Sequence, residues 1–274
     1  MKKVILFVFT MLSVAAIADD KSSMKTLENI PFIADSLTEE EQKAYFDLTE
    51  DIILSGVDSL VSRRKYTEGL AVLDTLQGSW KTITGRELSP RAYIVRCVIL
   101  ANQRKWRDVL EVTGNCLSIY GGNIPSRMAS MVFSMQGNAH RFLGEYREAI
   151  GSFELGLDYY TKVGDLGSQA GMLCQMAECY GSLGGYTQAI ALYGEGIERF
   201  LLYFGATRKD LLEGFLFPNN RYDKALLRVL ADHLYNLGMF EKEHGSRLNA
   251  KDNLLMSWHC GNESAKAEYL RVWR

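Results

Sequence analysis

The stretch Gly137–Leu157, GNAHRFLGEYREAIGSFELGL, decides how this chain folds. Just before and within it, Phe133, Gly137 and His140 lie at i, i+4 and i+7, along one face of a helix. Gly144 then breaks that helix, because glycine takes a left-handed cap at little steric cost. Tyr146 opens a second helix, on which Ala149, Phe153, Gly156 and Leu157 share an inner face. A glycine inside a helix costs about 1 kcal/mol relative to alanine. Gly137 and Gly156 both sit inside helices, which predicts a hairpin whose two backbones approach closely enough to offset that cost.

The same frame recurs along the chain. Tyr66, Trp106, Tyr146 and Tyr186 stand at a constant spacing of 40 residues (106 − 66, 146 − 106, 186 − 146). A fixed period of this length is the mark of stacked copies of one supersecondary unit. The fourth copy carries Leu173, Ala177, Tyr180, Gly184, Tyr186, Ala189, Tyr193 and Gly196. The second is degenerate: Tyr93, Cys97, Trp106, Val109 and Cys116 fit, while Arg104 replaces the turn glycine. The first reads Ile53, Val57, Leu60, Tyr66, Gly69 and Leu73. A fifth reads Leu234, Leu237, Gly238, Gly245, Ala250 and Leu254, with Arg247 in the aromatic place. Over about residues 38–260 this pattern resembles the tetratricopeptide repeat family. The resemblance implies an all-α fold: a right-handed α-solenoid of about five stacked helix-turn-helix repeats.

Gly238 stands 61 residues after Ala177 (238 − 177), 21 more than the period. The excess predicts an inserted segment near residues 200–222, with a short helix around Leu211, Leu212, Phe215 and Phe217. Pro218-Asn219-Asn220 reads as a turn before a long helix. Thr38 and Glu41 form a capping box that opens the first long helix, and Ser89-Pro90 supplies an N-cap and an N1 proline. Residues 261–274, with Ala265, Tyr269, Leu270 and Trp273, read as a C-terminal capping helix.

The first residues look like an address. Lys2-Lys3, an apolar run from Val4 to Val14, and Ala16-Ile17-Ala18 before Asp19 match a signal peptide over residues 1–18. An uncleaved anchor is the competing interpretation. Residues 19–37 read as a flexible lead. The chain is then expected to be exported, periplasmic or secreted, with no stable membrane span after cleavage. The 274 residues carry a formal net charge of −2, with a pI near 6.1, which argues against a nucleic-acid partner. Five cysteines leave at least one thiol free in an oxidising compartment. Cys97 and Cys116 fall where two helices approach, and either a disulfide or two packed thiols satisfies the pattern.

No nucleophile elbow, P-loop, dinucleotide fingerprint or metal-ligand spacing appears, so no catalytic residue, metal or cofactor is expected. His140 reads as a packed core histidine. In the family, the first helices of the repeats line a concave groove that takes a protein or peptide ligand. Matching that frame onto this chain implies Leu54 and Asp58, then Arg91, Ile94, Val98 and Asn102. It next implies Ser134, Asn138 and Arg141, then Gln175, Glu178 and Ser182, and finally Asn236, Met239 and Lys242. The Lys/Asn/Arg carboxylate clamp of chaperone-binding relatives is incomplete here. A non-enzymatic protein-binding scaffold is the expected function. The alternative is a sensory input domain of a larger membrane-bound signalling protein.

Overall fold

A computed structural model describes residues 38–214 and 221–273. The expected signal peptide and lead, and Phe215 to Asn220 of the insertion, lie outside these residues. Every element among the described residues is helical. The chain divides into two compact units, one ending at Ile124 and the other beginning at Pro125.

The first unit holds α1 (Glu39–Ser62), α2 (Tyr66–Thr84), α3 (Pro90–Asn102) and α4 (Trp106–Tyr120). Thr38 caps α1 through the predicted box: its hydroxyl accepts from Glu41 N, and the Glu41 carboxylate accepts from Thr38 N at 2.8 Å. α1 packs on α2 and α3, and α3 on α4. Leu54, Val57, Leu60, Leu73, Trp80, Ile99 and Cys116 are fully buried among them. Ser89 precedes α3 as expected, yet its hydroxyl caps nothing. It donates instead to Glu50 on α1 at 2.6 Å, and Ser89 N donates to the same oxygen at 2.8 Å. Burial pushes the Glu50 carboxyl up, and these two bonds oppose the shift.

The second unit holds α5 (Ser126–Phe142), α6 (Tyr146–Val163), α7 (Leu166–Ser182), α8 (Tyr186–Phe204), α9 (Arg208–Leu212), α10 (Arg221–His244), α11 (Arg247–His259) and α12 (Glu263–Trp273). α6 packs on α5, α7 on α6 and α8 on α7. α10 then packs on α8 and also on α7, with α11 and α12 following in turn. The short α9 lies against α11. Phe153, Phe200, Ile197, Leu211, Leu230 and Leu234 are fully buried.

One turn is repeated four times. Arg64, Arg104, Gly144 and Gly184 all adopt a left-handed backbone, with φ of 60°, 58°, 80° and 80°. After each, the next amide donates back across the helix end: Lys65 to Leu60 O, Lys105 to Leu100 O, Glu145 to His140 O and Gly185 to Tyr180 O. This 6→1 bond closes the helix. The following residue, Tyr66, Trp106, Tyr146 or Tyr186, then opens α2, α4, α6 or α8. Arginine holds the turn in the first unit and glycine in the second. The fifth pair departs from the pattern, since α11 starts from Ser246, whose hydroxyl accepts from Asn249 N.

All five cysteines are free and buried. Burial pushes the Cys97 thiol up to about 12 and Cys116 up to about 11, so both stay protonated. Of the two interpretations open from sequence, packed thiols is the one observed.

Small residues set the helix spacing in the second unit. A Cβ on Gly137 would lie 2.5 Å from the ring of Phe153, itself fully buried, and one on Gly196 would lie 2.6 Å from Cys174 Sγ and 3.0 Å from Ala170 O. Gly137→Ala should therefore lower stability by about 1–3 kcal/mol in urea unfolding, despite better helix propensity. Arg104→Gly should do the opposite, by up to about 1 kcal/mol, because it relieves a left-handed arginine. A neutral Gly137→Ala would mean that α5 and α6 are not held this close.

Candidate functional site

The residues implied for the groove behave differently in the two units. In the first, Leu54 and Ile94 are buried and belong to the core. Arg91 is held by two aspartates of α1, donating to Asp51 at 2.7 Å and to Asp58 at 3.0 Å. Asn102 donates to Val98 O at 2.8 Å and accepts from the Tyr66 hydroxyl at 3.2 Å. These groups are locally satisfied.

In the second unit three helices bring polar side chains into one network. α5 provides Asn138 and Arg141, α7 provides Glu178, and α10 provides Asn236. Arg141 donates through Nη1 to Glu178 at 2.8 Å and through Nη2 to Asn138 Oδ1 at 3.3 Å. Asn236 donates to the second Glu178 oxygen at 3.5 Å. The Asn138 amide also donates to Ser134 O at 3.0 Å, fixing its rotamer. Burial pushes the Glu178 carboxyl up, opposed by the Arg141 charge and the Asn236 bond. Gln175 sits one turn before Glu178 on α7. Ser182 is exposed and donates back to Glu178 O. Lys242 instead meets Glu268 of α12 at 2.7 Å; together with Arg271 it holds that carboxyl down at about 2.

Arg141 Nε of this network, and Gln175 Oε1 and His233 Nδ1 on α7 and α10, are buried without a partner, as are Arg96 Nη2 and Gln103 Oε1 in the first unit. A buried polar group left unpaired costs about 1–3 kcal/mol. His233 stands one turn before Asn236 on α10, its ring stacked at 6.1 Å on Phe200 and tilted at 6.4 Å from Tyr193. Burial first, and the Arg141 charge second, hold it down at about 4, so the ring is neutral near pH 7. Sequence matching missed His233. Its place on α10, three residues before Asn236, was the available signal.

Arg141 and Glu178 cancel in charge, and His233 Nδ1 has no hydrogen-bond partner. Among the described residues no group of three His, Cys, Asp or Glu is placed to hold a metal ion, and no helix is long and apolar enough to cross a membrane. No protein-family model matches the chain, and no curated protein is similar enough to count as a relative.

His233 gives the network a pH signature. Its folded value lies below the ordinary 6.5, so the unfolded chain takes the proton more readily. Its contribution to stability is complete above pH 6.5 and is lost as pH falls toward about 4, by about 3 kcal/mol in all. Glu50, Glu178 and Glu241 are raised by burial and act in the opposite sense. Comparing His233→Phe with wild type isolates the histidine: the difference in unfolding free energy should change by about 3 kcal/mol between pH 7 and 4. Parallel pH profiles would show that the ring is not buried as described.

Proposed function

We propose that this chain is a non-enzymatic scaffold of the tetratricopeptide type. It is an α-solenoid, right-handed as in that family, that works in an exported compartment and binds a protein or peptide segment. The left-handed turn recurring at residues 64, 104, 144 and 184 supports the repeat assignment. The acidic flank after Ala18 and the short apolar run before it support export.

The second unit is the binding element in this reading. One observation carries it: Asn138, Arg141, Glu178 and Asn236, all half-buried, come from three helices into one hydrogen-bonded network. An extended peptide presents alternating N–H and C=O groups that can bond the half-buried amides of Asn138 and Asn236. Because Arg141 and Glu178 neutralise each other, recognition falls on the peptide backbone and not on ligand charge. The preformed Arg141–Glu178–Asn236 bonds lower the ordering cost of binding.

Panning a displayed random-peptide library on the full chain tests this. Enriched peptides should bind at least about tenfold more weakly to Asn138→Ala/Asn236→Ala, the loss of one or two good hydrogen bonds. Lys162→Ala, which removes an exposed pair with Asp158 and a cation–π contact with Tyr159, should leave affinity unchanged. A library that yields no binder, or binders indifferent to the double variant, would defeat the proposal.

A further inference from the structure

A second site lies away from the network just described and does not depend on it. The inserted helix α9 is opened by its own capping box, in which Thr207 N and Oγ1 both donate to Asp210 at 2.7 Å. The box aims Arg208 across to neighbouring helices: Nε donates to Glu198 of α8 at 2.7 Å and Nη1 to Asn253 of α11 at 3.3 Å. Beneath this strut is a cavity of about 320 Å³. That volume is at the lower end of those that take small ligands.

Glu241 and Asn253 line it and are almost fully buried, at 5 % and 2 % exposure. One Glu241 oxygen accepts from Asn253 at 2.7 Å and the other from Asn249 at 3.3 Å. A carboxylate offers about four acceptor positions, so about two remain on Glu241. Arg208 is the one cation among the lining residues, and Glu198 already neutralises it. Asp252 adds a further negative charge at the wall. The rest of the wall is apolar, chiefly Ile190, Leu237 and Met256. Burial pushes the Glu241 carboxyl up, the condition of an acid that lacks a full counter-charge. Gly194 opens the fourth side: a Cβ there would meet nothing within 4 Å, although glycine is unfavourable inside a helix.

We propose that this cavity binds a small organic ammonium, its charged head on Glu241 and its apolar body against Ile190, Leu237 and Met256. A buried anion with spare acceptors calls for a cationic donor, and the apolar walls call for a hydrocarbon body.

Calorimetric titration of the full chain with phenethylamine, phenylethanol and phenylpropanoate tests the inference. The amine should bind saturably and the alcohol and acid at least about tenfold more weakly, the difference a charge-assisted bond makes. Glu241→Gln should weaken the amine by a similar factor. Gly194→Leu, which fills the cavity without touching a charge and favours the helix, should abolish binding and leave the folding transition intact. A leucyl peptide amide, free and N-acetylated, separates the two sources of an ammonium. Binding of the free form alone extends the site to chain termini, and failure of both confines it to small amines. Binding of the acetylated form, equal response to the alcohol or acid, no saturable response to the amine, or amine binding unchanged in both variants would overturn the assignment.

Discussion

The close approach of helices at small residues is the constraint from which the rest of the second unit follows. Gly137 admits the Phe153 ring, Gly196 lies against Ala170 O and Cys174, and Gly238 lies against Leu254. Each pair ties two helices at a separation that no larger side chain allows. Interiors packed this densely deform in discrete steps rather than continuously. These pairs join α5 to α6, α7 to α8 and α10 to α11, and so seat the three helices that carry Arg141, Glu178 and Asn236. A methyl group at Gly137 would move the very helix that carries Asn138 and Arg141.

Polar burial is incomplete in both units. In the first unit, Ser89 meets Glu50, and Arg91 meets two aspartates. Those groups have partners within their own unit, while Arg96 Nη2 and Gln103 Oε1 of the same unit are buried without one. In the second unit the Arg141–Glu178 pair is complete, yet atoms around it are not. Unpaired buried groups lower stability by about 1–3 kcal/mol each. The cavity under α9 shows a related imbalance, a buried carboxylate with amide donors but no free cation beside it.

Much of the helical frame was legible because it is local. The aromatic at each second-helix start and the glycine two residues earlier are read from sequence distance alone. Even Arg64 and Arg104 keep the turn geometry, since the 40-residue register outlasts the glycine. Features that depend on contacts across the chain were not legible. Ser89 bonds Glu50 from 39 residues away, and Arg208 reaches Asn253 from 45 residues away. No local pattern announces either. Leu54 and Ile94 were placed in the groove by register, but α1 and α3 pack against each other there and bury them. His233 was missed because its importance comes from Phe200, Tyr193 and Arg141, all on other helices.

The claim that the second unit presents a preformed polar surface to a peptide is tested most directly by side-chain amide NMR of the full chain. The signals of Asn138, Gln175 and Asn236 would be followed as a selected peptide is added. The account predicts that all three shift together and saturate at one affinity. Their remaining fixed while other signals move would contradict it.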